Sequence, residues 1–374
     1  MRVAVSGGGT GGHIFPALAV CEALERLDTG GERLFIGGTT GMETEIVPKA
    51  GVPFQAVTAR KLRKVLSPST VGVVLSLVKG YREAKAHLQA FRAEAVVGSG
   101  GYVAAATVLA GAHLGLPTLI LENNVVPGRT NRWLARYAEK VCVSFAETAR
   151  EFPASKSVLT GMPLRDGIVA LPEVTKGLAR CRFAGLSADR FTVVVIGGSQ
   201  GARAVNNLVL GAAADLLNAG IQILHQTGPK NFEEASAQAR ERKLPVGDGY
   251  VQVAFLEAVE VPLALRAADV IVCRGGISTL SEALANGLPA LVIPLPTAYA
   301  DHQTANAKAL EAGGAGLHRA ENELSASKLS GDLLALRDAP GRLAQMAEAS
   351  RKMGRPDAAD EVAKLVLGMK VRKA

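Results

Sequence analysis

Twice along this chain a short apolar run enters a glycine-rich turn and then a helical pattern. The first is Val3 to Val5 before Gly7-Gly8-Gly9-Thr10-Gly11-Gly12, and the second is Phe191 to Ile196 before Gly197-Gly198-Ser199-Gln200-Gly201. A buried strand delivered through glycines to a helix start is the opening of a βαβ unit, whose crossover forces parallel strand neighbours. The two openings lie half a chain apart, and 374 residues exceed what one core usually fills, about 250–300. Two α/β domains follow.

Further short apolar runs repeat the pattern. Leu34-Phe35-Ile36, Ala95-Val96-Val97 and Thr118 to Leu121 belong to the first half. Ile221 to Leu224, Val251 to Phe255, Val270 to Cys273 and Ala290 to Ile293 belong to the second. Runs apolar throughout suit strands covered on both faces, as in doubly wound parallel sheets. The expected division is 1–162 and 163–354, with a terminal helix over about 355–374 returning onto the first domain. Ser278-Thr279-Leu280-Ser281-Glu282 reads as a capped helix start, and Gly287 as its end. In open α/β sheets ligands meet the carboxyl ends of strands, where the glycine clusters fall.

Composition removes other classes. Cys21, Cys142, Cys181 and Cys273 form no C-x-x-C pair, and no Asp-x-Asp marks a bound divalent ion, so neither metal, cofactor nor disulfide framework is expected. The N-terminus lacks the pattern of an export signal, and no run approaches the ~20 apolar residues of a membrane span, so a reduced cytoplasmic setting is expected. The net charge of +8 points to nucleic acid, an anionic membrane surface or phosphorylated substrates.

Gly7, Gly9 and Gly12 satisfy G-x-G-x-x-G, but the end of the second strand, Ile36-Gly37-Gly38-Thr39, offers no carboxylate for a ribose. A dinucleotide site is therefore disfavoured. The loop can still cradle an anion, since glycines let backbone N–H groups approach and a helix start adds positive potential. His13 stands at its mouth, either as a working base or as a solvent-facing helix-start residue. Gly197 to Gly201 is a second cradle, with the Ser199 hydroxyl as an extra donor. Glu282 either accepts hydrogen bonds from a sugar diol or completes a capping box.

These residues carry a resemblance. The motifs GGTGGH (Gly8 to His13), GGY (Gly100 to Tyr102), E-x-N with T-N-x-W-L (Glu122 to Asn124, Thr130 to Leu134), GGSQGA (Gly197 to Ala202), HQ-x-G (His225 to Gly228), CR-x-G with S-E (Cys273 to Glu282) and DHQ-x-x-NA (Asp301 to Ala307) occur in this order over nearly the whole chain. In this it is similar to the GT-B glycosyltransferases of family 28 that add N-acetylglucosamine to the undecaprenyl-diphosphate-linked muramyl pentapeptide. The resemblance implies two Rossmann-like domains facing a cleft, and an inverting hexosyl transfer from UDP-N-acetylglucosamine (UDP-GlcNAc) to the acceptor C4 hydroxyl in peptidoglycan synthesis. It places the donor in the C-terminal domain and the lipid diphosphate in the N-terminal one. By the same resemblance Thr10, Gly11 and Gly12 lie at the donor–acceptor junction and Asn124 on the N-terminal wall. Arg165 and Ser199 match diphosphate contacts, and Leu256 a uracil-side backbone contact. Ile277, Ser278, Thr279, Leu280, Ser281 and Glu282 match the helix start that meets phosphate and ribose, and Gln303 a residue that recognises the sugar. His13 is the candidate general base. Leu121 and Met162 depart from residues common at those positions.

The charge has a location. Arg60, Lys61, Arg63, Lys64, Lys79, Arg82 and Lys85 flank Val71, Leu75 and Val78 at helical spacing, a pattern similar to the family's membrane-facing patch. The alternative is an amphipathic helix packed inward. Nucleic acid is disfavoured because the cluster has almost no aromatic residues to stack on bases. Peripheral binding to the cytoplasmic face of the inner membrane is implied, with other cell-wall synthesis proteins as further partners. The competing functions are another GT-B glycolipid transferase, a UDP-GlcNAc 2-epimerase, or a nucleotide-sugar-binding protein without turnover.

Overall fold

The computed structural model describes residues 1–59, 69–169 and 173–369, with the backbone alone over 69–74. The chain forms two compact units, Met1–Asp166 with Pro356–Ala374, and Gly167–Arg355.

The first unit carries β1 (Arg2–Ser6), β2 (Glu32–Gly38), β3 (Phe54–Val57), β4 (Ala95–Gly98), β5 (Thr118–Glu122), β6 (Lys140–Val143) and β7 (Ser157–Leu159). They hydrogen-bond in the order β3-β2-β1-β4-β5-β6-β7, every described pairing parallel. Alternation along a strand explains the apolar runs. Val3 and Val5 join a core with the helix Gly11–Leu27 (α1) and the helix Ala358–Leu367, whereas Ala4 faces a second core with Leu88, Val103 and Val108. Both faces of the sheet are covered, so neither needs polar residues.

The second unit repeats the design with β8 (Thr192–Ile196), β9 (Gln222–Gln226), β10 (Tyr250–Val253), β11 (Val270–Cys273), β12 (Ala290–Val292) and β13 (Gly316–His318). Their order is β10-β9-β8-β11-β12-β13, again parallel. Each sheet reverses its direction of growth once, beside β1 and β4 and beside β8 and β11. That switch point opens a crevice at the carboxyl ends, where an α/β sheet takes its ligand.

Three local readings change. The chain leaves the first unit after Asp166 rather than after Met162, because Arg165 lies over the Phe15 ring and Asp166 bonds Glu22 and Arg26 on α1. The strand expected to reach Phe255 stops at Val253, and Phe255 is exposed. The edge strands β3, β7 and β13 gave no clear signal, being three or four residues long.

Candidate functional site

In the first unit the β1 and β4 loops interlock at the switch point. His13 Nδ1 lies 3.0 Å from the Ser99 carbonyl oxygen, and the Ser99 hydroxyl donates back to the His13 carbonyl. A carbonyl oxygen only accepts, so Nδ1 carries the proton and the basic nitrogen of the neutral ring is Nε2. The Thr10 carbonyl accepts from the His13 and Ile14 amides, which starts α1, with no side-chain cap. Gly11 and Gly12 form its first turn, half-buried, where N–H groups have no helical partner. The close approach of the loops explains their glycines. A Cβ on Gly7 would stand 2.5 Å from Ser99 Oγ, and one on Gly100 2.7 Å from His13 Nδ1.

The carboxylate not found at the end of β2 arrives from further along. Glu43 opens the helix Glu43–Lys49 (α2), is fully buried, and accepts from the Gly9 and Gly38 amides, both at 3.2 Å. Four residues of turn separate it from β2, so strand-end reasoning missed it. Asn124 follows β5 in a loop wound around buried Glu122, which accepts from the Asn124 amide at 3.1 Å, the Gly128 amide at 2.9 Å and Asn131 Nδ2 at 2.9 Å. Burial pushes the Glu122 carboxyl above its ordinary range, and those donors pull it back. Glu122 thus shapes the loop, while half-buried Asn124 belongs to its surface.

In the second unit the β8 turn is Gly197 to Gly201. Gly198 has φ +94°, and a Cβ there would meet nothing within 4 Å. Gly201 has φ +73°, and a Cβ there would strike the Thr227 carbonyl at 2.0 Å. Ser199 is exposed at the tip, ahead of the uncapped helix Arg203–Asn218. Beneath it runs a neutral network that the HQ-x-G motif alone did not disclose. Asn206 Nδ2 donates to the Thr227 carbonyl at 2.9 Å, so Asn206 Oδ1 accepts from His225 Nε2 at 3.1 Å, and His225 Nδ1 accepts from the Tyr250 hydroxyl at 2.9 Å. Burial lowers the His225 pKa to about 3, which keeps the ring uncharged.

The helix after β11 starts at Ile277 with Gly276 as its N-cap, and no side chain caps it. Ser278 and Thr279 therefore sit in the first turn rather than at the cap, and Glu282 completes no capping box. Ile277 and Leu280 put their side chains in the core, so they offer only backbone groups to a ligand, while Ser278, Thr279, Ser281 and Glu282 are half-buried. Gly287 ends the helix as expected, at φ +63°. Leu256, after β10, is likewise buried and offers only its backbone. Gln303 stands on the helix His302–Ala312 after β12, where its Oε1 accepts from the Leu295 amide at 2.9 Å, so its NH2 is the donor side. Ala300 and Asp301 precede that helix in the left-handed region, φ 50° and 51°, a strain of order 1–3 kcal/mol each that tends to mark functional loops.

Ser199, Leu256, 277–282 and Gln303 thus share the carboxyl edge of one sheet, and Thr10 to His13 and Asn124 that of the other. Arg165 belongs to the first unit, where its guanidinium rests 4.6 Å from the Phe15 ring centre. Among the described residues no cluster of His, Cys, Asp or Glu suits a metal ion.

Residues 3–143 match the glycosyltransferase family 28 N-terminal domain, and 192–362 its C-terminal domain. Over 372 residues the chain is 38% identical to a protein of Desulforudis audaxviator named UDP-N-acetylglucosamine–N-acetylmuramyl-(pentapeptide) pyrophosphoryl-undecaprenol N-acetylglucosamine transferase, covering 98% of each. The chain belongs to glycosyltransferase family 28. A solved family structure, Acinetobacter baumannii MurG, matches at a TM-score of 0.78 with 30% identity, covering 98% of this chain and 99% of that one. A putative UDP-N-acetylglucosamine 2-epimerase from Listeria monocytogenes matches at 0.69, covering 96% and 94%, but at 13% identity it shares the fold alone. The family's fold is the pair of parallel-sheet domains described above.

Proposed function

We propose that this family 28 chain transfers N-acetylglucosamine from UDP-GlcNAc to the C4 hydroxyl of undecaprenyl-diphosphate-linked N-acetylmuramyl pentapeptide, with inversion at the sugar. The likeness over nearly the full length of a transferase so named carries this reading. The first unit takes the acceptor and the second the donor, because the first glycine loop is filled by side chains whereas open space borders Gly198 and Gly276 in the second.

His13 Nε2 accepts the proton of the attacking hydroxyl, with the ring held by Ser99. The new bond joins that oxygen to the sugar C1, and the bond from C1 to the diphosphate oxygen breaks, its electron pair leaving with UDP. The Ser199 hydroxyl and the amides of the 277–279 turn meet the growing negative charge. Glu282 and the Gln303 amide orient the sugar moieties. Arg165 adds a cation for the donor diphosphate.

Transfer requires both substrates, so UDP should appear only when the lipid-linked acceptor is present. Conversion of UDP-GlcNAc without acceptor would reveal an epimerase instead, and UDP binding without turnover a binding protein.

The acceptor is a lipid, and the helix Ser69–Phe91 (α3) suits a membrane surface. Leu75 is 64% and Val78 44% exposed, beside exposed Lys79 and Arg82. Leu75 and Val78 therefore do not pack inward. The side chain of Val71, and Arg60, Lys61, Arg63 and Lys64, lie outside the described residues. Among those described, no helix is long and apolar enough to cross a membrane. The exposed apolar and cationic residues of this helix support peripheral attachment at the cytoplasmic face, at about 1 kcal/mol per cation near an anionic surface. Lys79→Glu with Arg82→Glu should weaken sedimentation with phosphatidylglycerol vesicles by about thirtyfold or more, and unchanged binding would remove this helix from the interface.

A further inference from the structure

The first glycine loop already holds an anion of its own. Glu43 reaches from the start of α2 into the space beside β1 and β2, where one oxygen accepts from the Gly9 amide and the other from the Gly38 amide. Its chamber exists because four neighbours lack side chains. A Cβ would stand 2.4 Å from Oε1 at Gly8, 2.9 Å from it at Gly38, 2.5 Å from Oε2 at Gly41 and 3.0 Å from Cγ at Gly37. A fully buried carboxylate is costly unless its oxygens are satisfied, so these contacts hold it and the loop in one arrangement.

From Glu43 a short covalent and hydrogen-bonded path leads to the proposed base. The Gly9 amide is tied to the carboxylate, the next residue, Thr10, accepts from the His13 amide at 3.0 Å, and the His13 ring rests on Ser99. Gly9 itself needs φ +83°, a conformation that a loose loop would leave readily.

We propose that Glu43 is a positioning residue: its carboxylate fills the Gly8–Gly9 part of the phosphate-type cradle in the first unit, fixing the loop that presents His13 and leaving only the Gly11–His13 helix start for the acceptor diphosphate. This rests on the transferase reading above. It gives the sequence's G-x-G-x-x-G a use that excludes a nucleotide, since the place of an incoming phosphate or ribose is taken from within.

Three measurements on the full chain test it, for Glu43→Gln, Glu43→Asp and Gly8→Ala. Glutamine turns one acceptor into an NH2 group facing an amide, aspartate keeps the charge on a shorter arm, and the Gly8 methyl displaces the carboxylate without removing it. Steady-state transfer should show kcat down at least tenfold for Glu43→Gln and Gly8→Ala and less for Glu43→Asp, with donor KM within about twofold of wild type. UDP affinity by calorimetry should be unchanged. Amide hydrogen exchange over 7–13 should quicken at least tenfold while 197–202 stays as in wild type. Wild-type kcat and exchange in a folded Glu43→Gln protein would overturn the proposal, as would losses of UDP affinity equal to those of kcat. If Glu43→Gln fails to fold, Gly8→Ala decides by the same criteria. If the wild-type protein transfers no sugar, the function assigned above fails, and the exchange measurement still judges the Glu43 tie.

Discussion

The two glycine loops follow equivalent strands of two sheets with the same order, yet they are stabilised oppositely. The β1 loop is held by an anion, Glu43, and packed so closely that a Cβ at Gly7 or Gly8 would collide. The β8 loop is held by neutral amides, Gln226 Nε2 donating to the Gly198 carbonyl at 3.1 Å and Asn231 Nδ2 to the Gln200 carbonyl at 3.3 Å, with open space at Gly198 and the uncharged chain Tyr250–His225–Asn206–Thr227 nearby. On the proposed reading, the Glu43 carboxylate confines the acceptor diphosphate to the Gly11–His13 helix start, whereas the neutral support of the β8 loop leaves its turn and helix start to the donor diphosphate. The same local fold, so read, presents the base and the acceptor diphosphate's helix start in one unit and takes the donor diphosphate in the other, with a charged group beneath the first loop and neutral groups beneath the second.

The strongest test of that contrast is His13→Ala. Loss of a general base should lower kcat by about a hundredfold or more while UDP affinity stays within about twofold. If UDP affinity fell equally, the assignment of donor and acceptor to separate units would break.

Ser199→Ala tests the other side. A hydrogen bond to a charged group is worth about 1.5–3 kcal/mol, so UDP should bind about tenfold more weakly or worse, with exchange over 7–13 unaffected. Unchanged affinity would remove the Ser199 hydroxyl from the diphosphate site.

The smallest effect concerns the neutral support. His225 has a pKa of about 3 in the fold against 6.5 ordinarily, so between those values the unfolded chain binds more protons. Its contribution is complete above pH 6.5 and lost as pH falls below it, by up to about 1.4 kcal/mol per unit. The unfolding transition of the second unit should therefore weaken from pH 6.5 to 5, and His225→Gln should flatten that slope. A slope identical in the variant would mean that another group sets it.

Much of this arrangement was legible beforehand because strands covered on both faces must be apolar throughout. Thr118–Glu122 and Val270–Cys273 announce themselves in that way. The helix start at 277 was misread by one or two positions, since Ser278 and Thr279 look like caps while Gly276 takes that place. The patch at Leu75 and Val78 was visible as periodicity, but a helix that packs inward has the same pattern, and only exposure separates them.

The sequence by itself determined the two repeated parallel-sheet units, their glycine turns and the family motifs, because strand burial, turn chemistry and motif order are local or sequential properties. Tertiary structure alone decided that a carboxylate enters the first loop while open space borders Gly198 in the second. Glu43 and Gly9 are 34 positions apart and Ser99 and His13 are 86 apart. Their meeting depends on β2 and β4 flanking β1, and pairing across such separations is written in the sheet order rather than in any single stretch of chain.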